Sequence, residues 1–143
     1  MITNKRLNKD QFAHLIPHVG SMSLIDFVDC WGDQQIICRS STHKDPANPL
    51  RFNGTLSAIH LIEYGAQSMA IHGGLLSGKS SPGFLAAARN VHLYTDHLND
   101  VNGELIITAD AALKIHNSAV YDFTIMDSDQ HLLLEARATV ITL

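Results

Sequence analysis

The sequence contains few of the residues that hold small proteins together through covalent bonds or metal ions. Among its 143 residues there are only two cysteines, Cys30 and Cys38, on either side of a predicted turn. Neither belongs to a CxxC pair or to a cysteine–histidine spacing of the kind that binds zinc. The histidines show no other metal-binding spacing. We therefore expect neither a disulfide framework nor a metal site.

Positive charge is scarce and scattered. Ten Lys and Arg residues against 14 Asp and Glu residues give a formal net charge of −4, and no basic cluster indicates a nucleic-acid partner. The sequence also lacks a glycine-rich phosphate loop and a serine nucleophile elbow, so we expect no nucleotide and no other cofactor. No apolar signal-type segment follows the polar N-terminus, which favours a cytoplasmic protein.

Charge is nearly absent from one long stretch, residues 55–76, whose one charged side chain is Glu63. Read as a helix, the stretch has an apolar stripe and an opposite face that is hardly more polar, which predicts a buried helix wrapped by the rest of the chain. The stripe consists of Ile59, Ile62, Ala66, Met69 and Gly73. About 20 apolar residues can span a membrane, but Glu63, Gln67 and the glycines argue against a membrane span.

Glu63 is the residue in this helix that most needs an explanation. A carboxylate inside a buried helix costs several kcal/mol unless it is paired, hydrogen-bonded or protonated. His60, Glu63 and Gln67 share one helix face at positions i, i+3 and i+7. Apolar surroundings would keep the carboxyl protonated and able to donate a proton. The alternative is a structural carboxylate satisfied by the backbone or by an arginine.

The rest of the chain reads as a short helix, a hairpin, a loop and further strands, which we interpret as one domain over residues 1–143. The predicted segments are a helix at 8–15, strands at 23–31 and 34–42, a loop at 43–54, a link at 77–83, and strands at 84–96, 104–116, 119–126 and from 132 onward. One antiparallel sheet curled around one helix is the economical packing, an α+β arrangement known as the hotdog fold. Because one sheet covers so apolar a helix incompletely, we expect a dimer.

Two motifs resemble the 3-hydroxyacyl-acyl-carrier-protein dehydratases. The first is Pro17-His18 followed by apolar residues up to Asp26, and the second is the segment EYGAQ that begins at Glu63 and ends at Gln67. Residues 48–54, 62–76 and 82–93 are similar to a divergent branch of this family found in aryl-polyene-type gene clusters.

The resemblance implies a substrate thioester on acyl carrier protein and a site at a dimer interface, in a homodimer or a hotdog heterodimer. In this family a loop histidine works with the helix glutamate. The chain lacks the usual GHFP loop, and His43 is the candidate histidine, facing Glu63 of the other subunit. Gly54 is the candidate donor of an N–H group to the thioester oxygen, and Gln67 is the candidate partner that orients Glu63.

Other histidines remain as weaker alternatives. His60 lies one helical turn from Glu63, and His72 could pack at the helix end or line an acyl tunnel. His18 we interpret as ordering its loop. Four basic residues could receive an acidic carrier protein, namely Lys44, Arg51, Lys79 and Arg89. Two other functions stay open, a hotdog thioesterase with Glu63 activating water, and a non-catalytic partner subunit of a heterodimer.

Overall fold

The computed structural model describes residues 2–79 and 83–142. Its helices and strands follow one another as β1 (Ile2–Thr3), β2 (Leu7–Asn8), α1 (Lys9–Phe12), β3 (Phe27–Gly32), β4 (Gln35–Ser40), α2 (Leu61–Ser77), β5 (Gly83–Leu93), β6 (Leu105–Ile115), β7 (Ser118–Met126) and β8 (Leu132–Thr142). Short 3-10 turns cover Ala13–Leu15, Gly20–Met22, Thr42–Lys44 and Ala58–His60. Within the described residues, no helix is long and apolar enough to cross a membrane.

The strands form one antiparallel sheet of eight strands in the order β1-β3-β4-β6-β7-β8-β5, with β2 also paired to β3. Helix α2 packs against β4, β6, β7 and β8. The predicted hotdog arrangement, one sheet around one long helix, is therefore confirmed. At one end of the sheet the strands β1 and β2 have two residues each, whereas β5 at the other end has eleven.

Helix α2 extends past Gly73-Gly74, the glycine pair that in the sequence favours a helix end. A serine begins the preceding 3-10 turn, where Oγ of Ser57 accepts from the backbone N–H of Ile59. The helix ends instead at Gly78, which adopts a left-handed conformation (φ +76°) and donates its N–H to the carbonyl of Gly74. Gly74 lies inside the helix. A Cβ at this position would lie 2.7 Å from Cβ of Leu15, so only glycine fits here. It permits close packing and does not end the helix.

Helix α2 is buried on one face only, whereas the sequence predicted a helix buried all round, and the buried face is not the apolar stripe. The side of the helix that packs on the sheet consists of Leu61, Tyr64, Gly65, Ser68, Ile71 and His72, all buried. In the predicted stripe Met69 is buried, but Ile59 is 47% exposed and Gly73 is also exposed. The helix therefore has one open side, and Glu63 lies on it.

Two strand predictions were wrong in part, each for a local reason. Residues 23–26 precede β3 and lie outside the strand. Asp26 still donates its backbone N–H to the carbonyl of Arg39 in β4, but the N–H of Leu24 donates to Oε1 of Gln67 on the helix. In β6 the register with β7 shifts between Ala111 and Leu113. Beyond this bulge the inward and outward faces exchange. Leu113 is therefore 53% exposed, although in the sequence it alternates on one face with Leu105, Ile107, Ala109, Ala111 and Ile115, which predicts that it points to the core.

The predicted link at 77–83 is partly taken up by its neighbours, because α2 includes Ser77 and β5 begins at Gly83. Its centre, residues 80–82, lies outside the described residues.

Candidate functional site

Glu63 lies on the open side of α2 with two polar partners. Its side chain is 36% exposed, and its Oε1 lies 3.4 Å from Nε2 of His18. Nε2 of Gln67, one helical turn further on, donates to the same oxygen at 3.5 Å. The expectation of a deeply buried Glu63 is thus wrong for this chain. The reason is that the side of α2 that carries Glu63 faces away from the sheet.

Gln67 connects Glu63 to the segment that carries His18. The Gln67 side chain is fully buried, and its Oε1 accepts from the backbone N–H of Leu24 at 2.8 Å. Its Nε2 donates to the carbonyl of Met22 at 2.8 Å. These two bonds hold the segment before β3 against the middle of the helix. Gln67 therefore holds the Glu63 side chain and the chain near His18 in a fixed position relative to each other.

Sequence reasoning assigned His18 to loop ordering, but the structure places its ring beside the carboxylate of Glu63. The 3-10 turn Ala13–Leu15 ends before Pro17, and the chain then passes over the open side of α2. Nδ1 of His18 is buried and has no hydrogen-bonding partner within residues 2–79 and 83–142, so Nε2 is the nitrogen that faces Glu63. The Pro17-His18 motif was the signal that could have identified this residue.

His18 and Glu63 stand at one end of a cavity of about 430 Å³, which we call the Glu63 cavity. It runs along the open side of α2 between the helix and strands β5, β7 and β8. Its wall consists of Pro17, His18, Glu63, Ala66, Met69, Ala70, Gly73, Gly74, Ser77, Leu85, His116, Asn117, Ala119, Tyr121 and Val140. Between the polar groups at either end the wall is mainly apolar, which suits an acyl chain better than a sugar or a nucleotide.

His72 contributes to this wall indirectly, through Tyr121. Its Nε2 lies 2.6 Å from the carbonyl oxygen of Gly32, which can only accept, so Nε2 carries the proton. Nδ1 must then accept from the hydroxyl of Tyr121 at 2.6 Å. Burial lowers the pKa of His72 and raises the pKa of Tyr121 to about 12, so both groups stay neutral near pH 7. His72 is packed in the core and does not itself line the Glu63 cavity.

The structure does not bring His43 to Glu63 within one chain. His43 is 1% exposed, and its Nε2 donates to the carbonyl of Val101 at 3.1 Å. Burial lowers its pKa, so the ring is neutral near pH 7. It is absent from the wall of the Glu63 cavity, as is His60.

Gly54 also lies apart from Glu63, in an exposed turn with φ +77°. Its carbonyl accepts from Nδ2 of Asn99 at 3.1 Å and from a guanidinium nitrogen of Arg51 at 3.4 Å. Arg51 also donates to the carbonyl of His43 at 2.7 Å. Arg51 therefore holds this loop together, which leaves it less available to a carrier protein.

One group of side chains in the described part of the chain has the spacing of metal ligands, namely Asp127, Asp129 and His131. They lie in the exposed turn between β7 and β8. The Asp127 carboxylate already accepts from the backbone N–H groups of Asp129 and His131 and contacts the His131 ring. These bonds account for the cluster as a turn, and we assign no metal to it.

Comparison with known proteins identifies a family. The family model described as ApeP-like, ApeP dehydratase, matches residues 10–143. No curated protein matches the sequence.

Several solved structures share the fold. A chain of the dehydratase heterocomplex ApeI:P from Xenorhabdus doucetiae is similar with a TM-score of 0.82 and 19% identity, covering 92% of this chain and 90% of that chain. The PaaI protein of the E. coli phenylacetic acid degradation operon gives a TM-score of 0.60 and 13% identity, with 83% and 79% covered. AziG of S. sahachiroi gives 0.61 and 15%, with 90% and 98% covered.

Proposed function

Because the chain belongs to the ApeP-like family of dehydratases, we propose that it removes water from 3-hydroxyacyl thioesters. The acyl group is carried on acyl carrier protein, in a cytoplasmic pathway of fatty-acid or polyene type. The observation that carries the proposal is the His18–Glu63 pair, with 3.4 Å between Nε2 and Oε1 on the wall of a largely apolar cavity. A base and an acid side by side are what this elimination requires.

In the proposed reaction Nε2 of His18 accepts the proton of the α carbon, and the electrons of that C–H bond form the new double bond. The C–O bond at the β carbon breaks, and Glu63, protonated once the bound acyl chain shields its open side from water, gives its proton to the departing oxygen, which leaves as water. The pair then consists of an imidazolium and a carboxylate, which attract each other. Transfer of the proton from His18 to Glu63 across their contact restores the starting state.

The alternative histidine is His43 of a second subunit, facing Glu63 across an interface. Its burial and its bond to the carbonyl of Val101 favour a structural role instead. His18 is 28% exposed and already in contact with Glu63. We therefore place the catalytic pair within one chain, with Gln67 as the residue that positions it.

We also propose that the edge strand β5 and the exposed turn before α2 that carries Ile59 pair with a second hotdog subunit. Ile59 is 47% exposed and Leu85 is 39% exposed, and covering both would remove apolar surface from water. The complex named in the matched Xenorhabdus structure supports a different hotdog chain as the partner. A homodimer remains the alternative, and light scattering of the chain alone and with such a partner distinguishes them.

The test is turnover of a 3-hydroxyacyl thioester by four variants, with enoyl thioester as the measured product. Glu63→Gln and His18→Asn should each lower kcat by about 10²–10⁴-fold, the usual contribution of an acid or a base. His14→Asn, at an exposed position outside the cavity, is the matched control. Loss of turnover in His43→Asn, with His18→Asn active and both folded, would transfer the role of base to His43.

The same assay separates the other two functions. A thioesterase would release free thiol without enoyl product, using Glu63 to activate water. A non-catalytic subunit, which the missing GHFP loop leaves open, would give no product alone, and product in its complex would survive Glu63→Gln.

A further inference from the structure

The Glu63 cavity does not end at the far end of α2. A second cavity of about 340 Å³ adjoins it at the turn between β6 and β7. The two share six wall residues, Gly73, Ser77, His116, Asn117, Ala119 and Tyr121. The two cavities therefore adjoin along a shared wall, and the second is an open groove that also has Lys114 and Ser118 on its wall.

Gly73 stands where the two cavities meet, and the space beside it is empty. A Cβ added at Gly73 would meet no atom within 4 Å among the described residues. The other helical glycines are different, since a Cβ at Gly65 would lie 2.3 Å from the Phe123 ring and one at Gly74 would lie 2.7 Å from Leu15. Gly65 and Gly74 thus serve packing inside the protein, whereas the missing side chain of Gly73 leaves open space on the cavity side.

The distance from the reacting groups to Gly73 has the scale of a long acyl chain. Ten residues of α-helix separate Glu63 from Gly73, which corresponds to about 15 Å along the helix axis. An extended chain advances about 1.2 Å per bond, so about 12 carbons cover this distance. Met69, Ala70 and Val140 supply apolar wall along the way.

We propose that Gly73 determines the length of acyl chain that the Glu63 cavity accepts, by keeping the passage into the second cavity open. The inference rests on the proposed function, because it takes the thioester end of the ligand to lie at His18 and Glu63. Chains that end before Gly73 fill the first cavity alone, whereas longer ones pass Gly73 toward the turn between β6 and β7.

The experiment measures binding, so that it does not depend on dehydration. The probes are analogues of hexanoyl-pantetheine and hexadecanoyl-pantetheine in which an amide NH replaces the thioester sulfur, and they have no 3-hydroxyl group to eliminate. They are titrated calorimetrically into the wild type, Gly73→Leu and Gly73→Ala. A fully buried methylene contributes about fourfold to affinity, and one half-buried in the open second cavity about twofold. Gly73→Leu should therefore weaken hexadecanoyl binding by about eightfold or more, for three or more excluded methylenes, and change hexanoyl binding less than about twofold. Gly73→Ala is the matched control and should lie close to the wild type.

Equal weakening of both probes in Gly73→Leu would overturn the proposal and place the pantetheine arm, instead of the acyl chain, beside Gly73. So would an unchanged ratio of the two affinities, or equal affinity of the wild type for both probes. A change in oligomeric state of Gly73→Leu by light scattering would assign Gly73 to a subunit interface and also overturn it. If the proposed dehydration fails, length-dependent binding of these amides still decides the role of Gly73.

Discussion

Two glycines in one helix should respond to the same substitution with opposite sign. An alanine is favoured over glycine in a helix interior by about 1 kcal/mol, chiefly because glycine loses more backbone freedom on folding. At Gly73 nothing opposes this gain, since the added Cβ meets no atom within 4 Å. Gly73→Ala should therefore raise the free energy of unfolding by about 1 kcal/mol.

At Gly65 the same methyl group enters the space of a buried ring. Three atoms of Phe123 lie 2.3–2.7 Å from the added Cβ, and Phe123 is only 1% exposed, so its ring has little room to withdraw. Inserting a methyl group into a packed core costs about 1–3 kcal/mol, and so close a contact belongs at the upper end. After the helix gain of about 1 kcal/mol, Gly65→Ala should lower the free energy of unfolding by about 2 kcal/mol.

Urea unfolding at one fixed protein concentration measures both effects. The two variants should differ by about 3 kcal/mol, which at a slope near 2 kcal/mol/M separates their midpoints by about 1.5 M. Phe123→Leu combined with Gly65→Ala should cost less than the sum of the two single changes, because the shorter side chain relieves the contact. If Gly65→Ala stabilised the protein as much as Gly73→Ala does, the packing assigned to Gly65 and Phe123 would be wrong.

Two further changes test the surroundings of the site. Gln67→Leu should lower the free energy of unfolding by about 2–4 kcal/mol, because the N–H of Leu24 and the carbonyl of Met22 lose their partner inside the protein; a loss below about 1 kcal/mol in urea would contradict this. Burial lowers the pKa of His43 and of His72 below the ordinary 6.5, so below that pH the unfolded chain binds more protons than the folded one. The free energy of unfolding should therefore fall as pH drops from 7 through 6.5 toward 5, by at most about 1.4 kcal/mol per pH unit for each histidine. A free energy of unfolding that stays constant over this range would refute the lowered pKa of the two histidines.

The pattern of the sequence predicted the architecture because that pattern repeats along whole elements. Alternation over β6, β7 and β8 and the apolar run of α2 each involve many residues, so one misplaced residue changes little. The bulge after Ala111 shows the limit, since a single extra residue reverses which side chains point inward. Nothing in the alternation of residues 104–116 marks that residue.

The candidate site could be predicted in its parts but not in its assembly. Glu63 and Gln67 were identified correctly as neighbours, because their spacing is fixed by helix geometry. His18 lies 45 positions before Glu63 in the sequence, and its contact depends on the hydrogen bonds that Gln67 makes to the chain near Met22. Which face of α2 meets the sheet could not be read from hydrophobicity, because both faces are apolar. That choice decides whether Glu63 is buried or open.

The unequal edges of the sheet limit how such chains can join through their strands. The eleven residues of β5 form one edge of the sheet, whereas the other edge consists of β1 and β2, which have two residues each. A strand edge that is long and regular can recruit a strand from another molecule, but a very short one offers few hydrogen bonds to recruit with. When two such sheets meet β5 to β5, each has used its one receptive edge, and growth stops at a pair instead of continuing into a fibre.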